Sequence, residues 1–386
     1  MRGLAFFWLA GLALVPVACS REVREAPVMA PAADVHVTPF SVTSADGTEI
    51  SGQVDQPAGI DGSTPFVVMS AGTGAFDRDV AFGRSGTPRD RLFADLARRF
   101  NAAGIATVRY DRRGVRYKPA DGQRLDPAVS GTSTVETQRD DLAAVYELAR
   151  QQSACTVLLG HSEGAQHIGG LADRGVTAPA LVVGIGAPLQ APADVFRWQA
   201  TGRDAFSLKM MDANGDGITT NQEVRAGLPT TPAAVFGKVQ PYLHPFGKWT
   251  AGALKQRIAT QEVRYLAGKA RALATDPDEP YPDAKEPIAK YSWWQNWYTD
   301  DVPVADKLAA WDVPMLFYYG DRDSQVRYEF QQPAAEAALG DRAEIHVLPG
   351  LGHSLGPDVL YGPMDEAAAD ALVARTAEIL KTRCAP

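Results

Sequence analysis

The chain has 386 residues, is 45% hydrophobic and 22% charged, and carries a formal net charge of −8. This is ordinary globular composition with ample material for a core, and the length fits either two domains or one large α/β domain with insertions. The acidic balance, with no Lys/Arg-rich run, speaks against nucleic acid as a partner.

In chain order, the first segment is an address. Arg2 and the apolar run Leu4 to Val17 read as an export signal, since the run is shorter than the ~20 residues that span a bilayer as a helix. It closes in Pro16-Val17-Ala18-Cys19, which resembles a bacterial lipobox except for Pro16, where that motif usually has leucine. The resemblance implies that residues 1–19 end in a lipidated Cys19, with a soluble exported protein as the alternative. Ser20, in place of Asp, would not hold a lipoprotein at the inner membrane, so the expected location is periplasmic or outer-membrane, with membrane contact only through the anchor. Residues 20–34, rich in Ala, Pro and charge without periodicity, read as a flexible tether. Cys155 and Cys384 are the two remaining cysteines; a bridge between them and two separate thiols both stay open.

Val35 to Thr43 and Glu49 to Val54 are strand-like, joined by a turn containing Asp46-Gly47. Pro65 to Ser70 is a continuous apolar run, as in a strand covered on both faces. Thr87-Pro88 is expected to open a helix, with threonine as cap and Leu92, Phe93, Leu96 and Phe100 on one face. A strand over 104–110, a helix over about 137–150, a strand at Thr156 to Leu159 and a strand over 180–186 follow. Strands over 313–319 and 343–348 and a helix over about 364–382 complete the series. Such alternation predicts a mostly parallel sheet with helices on both faces. It stops between 187 and 312, a helix-like, Pro- and aromatic-rich stretch that reads as a cap inserted between core segments 35–186 and 313–386.

Directly behind Thr156 to Leu159 stands Gly160-His161-Ser162-Glu163-Gly164. A buried strand that runs through Gly-x-Ser-x-Gly into a helix is the sequence form of a nucleophile elbow, where small neighbours allow a strained turn that leaves the hydroxyl exposed. A serine hydroxyl becomes a good nucleophile when a histidine takes its proton and a carboxylate orients that histidine. Downstream, one strand ends in Gly320-Asp321-Arg322-Asp323 and the next in Pro349-Gly350-Leu351-Gly352-His353, both at the carboxyl edge where an open sheet gathers its site. Ser162, Asp323 and His353 are the candidate triad, with Asp321 as rival to Asp323. His161 and His167 lie too near the nucleophile in sequence to serve as its base, and His36, His244 and His346 have no catalytic context.

These pieces resemble the α/β-hydrolase superfamily, specifically a bacterial carboxylesterase and dienelactone-hydrolase-like branch with a helical insertion after the sixth strand. Matching are Ala71 to Asp79, Tyr110 to Gly114, Gly160 to Gly164, Gly320 to Val326 and Gly352-His353, in the expected order. The resemblance implies Ser162 as nucleophile, His353 as base and acid, and Asp323 as the orienting carboxylate. Backbone N–H groups of Thr73 and Glu163 would form the oxyanion hole. Asp77 to Asp79 and Asp111 to Arg113 are expected to brace loops by ion pairs. Arg116, Tyr117 and Lys118 are bulkier than usual at their place, which leaves the pocket's shape open.

Inside the cap, residues 212–223 match a twelve-residue EF-hand loop. Side-chain oxygens of Asp212, Asn214, Asp216 and Glu223 and the carbonyl of Ile218 fall at ligand positions, with Gly217 at the sharp turn. Thr219 stands where an aliphatic residue normally pairs two loops, and no second loop is visible in the sequence. The expectation is a structural Ca²⁺ that pins the cap helices, with no cofactor needed for the chemistry. The sequence thus points to an exported serine hydrolase cleaving carboxylic esters of small molecules. A peptidase or amidase with the same triad is the alternative within enzymes, and a surface-tethered, calcium-dependent binding protein on a hydrolase scaffold is the alternative outside them.

Overall fold

The computed structural model describes residues 34–386 apart from 60, 84, 118–123, 228–239, 283–284 and 385–386. The export segment, Cys19 and residues 20–33 of the tether therefore lie outside the described residues.

Eight strands form one sheet: β1 (Val35–Thr43), β2 (Glu49–Pro57), β3 (Phe66–Ser70), β4 (Ala106–Tyr110), β5 (Thr156–His161), β6 (Leu181–Ile185), β7 (Met315–Gly320) and β8 (Ala343–Leu348). Their spatial order is β1-β2-β4-β3-β5-β6-β7-β8. β1, β2 and β4 pair antiparallel and every later pairing is parallel. The central strands β3, β5 and β6 are buried along their whole length, which explains their unbroken apolar runs.

Helices cover both faces. α1 (Leu92–Ala102) and the last helix pack on one face, where Phe93, Phe100 and Leu372 meet Val67, Val157 and Val183. On the other face α2 (Val135–Gln152) and α3 (Glu163–Asp173) place Leu142, Tyr146, Ile168 and Leu171 against Val68, Leu158 and Val182. The fold is an α/β-hydrolase fold. Two helix starts differ from the sequence expectation. Pro88–Asp90 is a separate 3₁₀ turn over which Thr87 makes no side-chain cap, and the α-helix begins only at Leu92; the Asp90 carboxylate accepts from Ser85 N at 2.9 Å and Gly86 N at 2.6 Å and so braces the preceding loop. α2 begins two residues before Thr137, because Thr134 caps it and Thr137 closes the reciprocal capping box.

Between β6 and β7 the chain forms α4 (Pro192–Thr201), α5 (Arg203–Met210), α6 (Asn221–Gly227), α7 (Ala251–Ala274), α8 (Tyr291–Thr299) and α9 (Val304–Leu308). α10 (Tyr328–Leu339) links β7 to β8, and α11 (Glu366–Arg383) ends the chain. The inserted segment has its own apolar centre: Phe196, Tyr265, Tyr281, Trp293, Trp294, Trp297 and Tyr298 are buried together. Phe196 meets both Trp294 and Tyr298 edge-on at 4.8 Å between ring centroids. Among the described residues no helix is long and apolar enough to cross a membrane. Cys155, at the start of β5, is disulfide-bonded to Cys384, just past α11, with the two Cα atoms 5.6 Å apart.

Candidate active site

Ser162 sits between the end of β5 and the start of α3 at φ 53° and ψ −124°, a left-handed conformation that costs an L-residue energy. Its neighbours explain how the strain is held. A Cβ on Gly164 would lie 2.1 Å from the Ser70 carbonyl oxygen, and one on Gly160 would lie 2.6 Å from the Ala165 nitrogen. Ser162 N donates to Ile185 O at 2.9 Å, and Ala165 N donates to Ser162 O at 3.0 Å, so the turn is stitched to β6 and to its own helix.

His353 stands on the loop after β8, with its Nδ1 2.8 Å from Asp323 Oδ2. Both side chains are buried, and Asp323 is 0% exposed. The other Asp323 oxygen accepts from Gln325 N at 2.7 Å and Val326 N at 3.1 Å, which orients the carboxylate. Asp321 is turned elsewhere: its Oδ1 accepts from Gly350 N at 2.7 Å and so braces the loop that carries His353. Gly186 clears the space beside the imidazole, since a Cβ there would come within 2.8 Å of His353 Nδ1.

Ser162 and His353 open onto one cavity of about 90 Å³, with Gly72, Thr73 and Glu163 in its wall. The Gly72 backbone lies against Ser162, for a Cβ on it would be 3.0 Å from Ser162 Cβ. Phe76, Phe82, Val195, Phe196, Trp293, Trp294, Trp297 and Leu360 make most of the cavity apolar. Pro188, Gln199 and Arg203 add further wall from the inserted segment, so core and insertion enclose the cavity together.

His161 lies closer to the site than its sequence position suggests. Its ring centroid is 5.1 Å from that of His353, and it lines the same cavity. Burial, reinforced by His353, holds its pKa well below the usual 6.5, so it serves as a neutral wall. Burial, with Arg112 and Arg139 adding to it, does the same for His167.

The Glu163 side chain has a definite place that its backbone role left open. It is 1% exposed; Oε1 accepts from Trp293 Nε1 at 2.7 Å and Oε2 from Arg112 Nη2 at 3.2 Å. Arg112 also donates to Ala71 O at 3.0 Å, in the loop beside Thr73. Around it stand further buried pairs: Arg78 with Asp111 at 2.6 Å, Arg109 with Asp79 and Asp55, and Arg113 with Asp141 at 2.5 Å. Burial and then the Asp79 charge push Asp77 up to about 6. Tyr117 donates to Asp79 Oδ2 at 2.9 Å under the Arg78 guanidinium and is absent from the cavity wall.

In the 212–223 loop the acidic side chains close the loop's own backbone. Asp212 accepts from Gly215 N at 2.9 Å and Gly217 N at 2.8 Å, and Asp216 from Ile218 N at 2.8 Å. Asn214 Oδ1 accepts from Asp216 N at 2.9 Å, and Glu223 from Ala213 N at 3.1 Å and Thr220 N at 2.8 Å. Among the described residues no three His, Cys, Asp or Glu side chains are gathered where they could hold a metal ion. Thr219 and Thr220 pair antiparallel with Trp249 and Lys248, so a second helix-connecting segment without ligand residues takes the place of a partner loop.

No protein-family model matches the chain, and no curated protein matches its sequence. Solved structures do resemble it. DcsB in complex with its substrate analogue has a TM-score of 0.51 at 16% identity, covering 91% of this chain and 100% of that chain. A hypothetical protein from Pseudomonas aeruginosa has a TM-score of 0.50 at 12% identity, covering 93% of this chain and 97% of that one. GrgF, an α/β hydrolase from Penicillium sp. sh18, reaches 0.49 at 15% identity over 91% of this chain and 100% of its own. At such identities the likeness is one of fold.

Proposed function

We propose that the protein is a serine hydrolase that cleaves carboxylic esters through an acyl-enzyme. The observation that carries this reading is the strained Ser162 on a strand-to-helix turn, opening onto the same cavity as His353, whose Nδ1 is held by the buried Asp323 at 2.8 Å. In the proposed cycle Ser162 Oγ attacks the ester carbonyl while His353 Nε2 takes its proton, and Asp323 stabilises the imidazolium. The N–H groups of Glu163 and Thr73 receive the negative oxygen, each worth ~3 kcal/mol in the transition state. Collapse expels the alcohol, which His353 protonates, and water activated by the same histidine releases the acid. The apolar wall built by Phe196, Trp293, Trp294 and Trp297 suits a hydrophobic group beside the reacting carbonyl. Ser162→Ala should reduce hydrolysis of a short-chain aryl ester by ~10³-fold or more and abolish labelling by a fluorophosphonate. Undiminished turnover in that variant overturns the mechanism.

We further propose that the 212–223 loop takes Ca²⁺ through Asp212, Asn214, Asp216, Glu223 and the Ile218 carbonyl. The spacing and the hard oxygen donors support this; binding would exchange the N–H bonds that these carboxylates now accept. Melting curves that coincide in calcium and in chelator would reject it. Export is the proposed address, supported by residues 1–19 and the Cys155–Cys384 bridge, with Cys19 as lipid attachment point. Release of a Cys19→Ser variant from the membrane fraction checks the anchor.

A further inference from the structure

Among the described residues in the cavity wall, two carry formal charge, Glu163 and Arg203. Glu163 is matched by Arg112 and Trp293. Arg203 is not matched. It opens α5, is 5% exposed, and forms no ion pair among the described residues. Its hydrogen-bond partner is neutral: Nη1 donates to Gln325 Oε1 at 2.9 Å. Nε and Nη2 have no partner among the described residues, and neither is fully sealed from solvent.

The neighbouring carboxylate does not settle the balance. Asp204 accepts from Arg257 at 2.7 Å, from Gln261 at 2.6 Å and from Tyr242 at 3.1 Å, so its oxygens are already engaged. Burial alone would raise its pKa, but Arg257 and then Arg203 pull it below the usual carboxylate range. Among the described residues, two guanidinium groups thus bear on one carboxylate, which leaves these three groups with a net positive charge. A buried cation without an anion is costly, and proteins normally pair it. With Nη1 committed to Gln325, the free Nε and Nη2 are the parallel pair of donors that fits the two oxygens of a carboxylate. Gln325 anchors this end of the cavity to the catalytic loop, since its own N–H donates to Asp323 Oδ1 at 2.7 Å.

We propose that Arg203 is the recognition point for a carboxylate on the substrate, so that the preferred substrates are esters carrying a carboxylate away from the scissile bond. This rests on the ester-hydrolase reading above. The apolar wall would hold the uncharged part of such a molecule, and the Arg203–Gln325 end would select it by charge.

The test compares para-nitrophenyl hemiesters of succinate, glutarate and adipate with their carboxamide isosteres, together with para-carboxyphenyl butanoate and its carboxamide. The wild-type protein should favour at least one carboxylate ester over its isostere in kcat/KM by on the order of 100-fold. Arg203→Gln should erase that preference by lowering kcat/KM for the carboxylate ester far more than for its isostere, and Arg203→Lys, which keeps charge but loses the fork, should fall between. A melting curve for each variant separates loss of fold from loss of recognition. The same preference should appear in binding of these esters to the Ser162→Ala protein, which needs no turnover. No carboxylate preference in either measurement, or an equal loss for both ester classes in Arg203→Gln, overturns the proposal. Binding preference without any wild-type turnover overturns the hydrolase reading and leaves the carboxylate site standing.

Discussion

Glu163, the residue after Ser162, accepts a hydrogen bond from the indole of Trp293 at 2.7 Å, across 130 positions of sequence. One partner begins the helix behind Ser162; the other lies in α8 of the insertion. The carboxylate therefore ties the insertion to the turn that carries Ser162. Trp293→Phe leaves that buried carboxylate with Arg112 alone and should cost about 1–3 kcal/mol of stability. If the tie also holds the turn in register, kcat for a good ester should fall about tenfold with little change in KM. Thermal melts and steady-state kinetics on the same preparation check both effects.

The elbow tolerates little added volume. A Cβ on Gly164 meets the Ser70 carbonyl oxygen at 2.1 Å, and neither group is the end of a flexible side chain. Gly164→Ala should destabilise the protein by about 3 kcal/mol and lose nearly all activity. Gly62→Ala, with nothing within 4 Å and no left-handed backbone, is the matched control and should be close to neutral. Chemical unfolding of the two variants gives the comparison.

Acid should weaken the fold. Burial first, then neighbouring positive charge, holds His161 and His167 well below their usual 6.5. The unfolded chain binds protons at these histidines below about pH 6.5 while the folded chain does not, so their contribution is complete above that pH and is lost as pH falls. Each contributes a slope of up to about 1.4 kcal/mol per pH unit. Asp77 acts oppositely: raised to about 6, it takes its proton more readily in the fold, and this stabilisation is lost as pH rises through that value. Two histidines against one carboxyl leave a net loss on acidification. Urea unfolding at about pH 7.5 and about pH 5.5 should show it, and His167→Gln should flatten the slope.

The Cys155–Cys384 bridge closes a loop of 229 positions, for which chain entropy sets a ceiling of ~5 kcal/mol of stabilisation. Replacing both cysteines by alanine should lower the melting temperature by several degrees while leaving ester hydrolysis at low temperature unchanged. Thiol titration of the unfolded, unreduced wild-type protein should find no free Cys155 or Cys384.

Local chemistry in the sequence led to the strand alternation, the elbow and the Asp323 and His353 loops, because each is specified within a few residues. Asp321 and Asp323 were harder to separate, since the difference lies in Gly350, whose N–H captures Asp321. The helix expected at Thr87 starts later because the chain first makes the separate 3₁₀ turn Pro88–Asp90, over which Thr87 sets no side-chain cap. The pairings of the Glu163 side chain, Arg203 and Gln325 are not legible in the sequence for a different reason. Their partners lie 130 and 122 positions away, and no periodicity or motif encodes such a pairing. The aromatic residues Trp293, Trp294, Trp297 and Tyr298 pack together within the insertion, three of them also line the cavity, and Trp293 adds a polar contact that a hydrophobic pattern hides.

The bridge between Cys155 and Cys384 also makes a covalent ring of everything between them. Ser162, Asp323 and His353 all lie inside that ring, together with the whole inserted segment, whereas β1 to β4 lie outside it. A protease that nicks an exposed loop of the insertion would therefore leave Ser162 and His353 on fragments still joined by sulfur. Such a clipped molecule keeps its mass apart from one added water, and separates into two bands only when reduced.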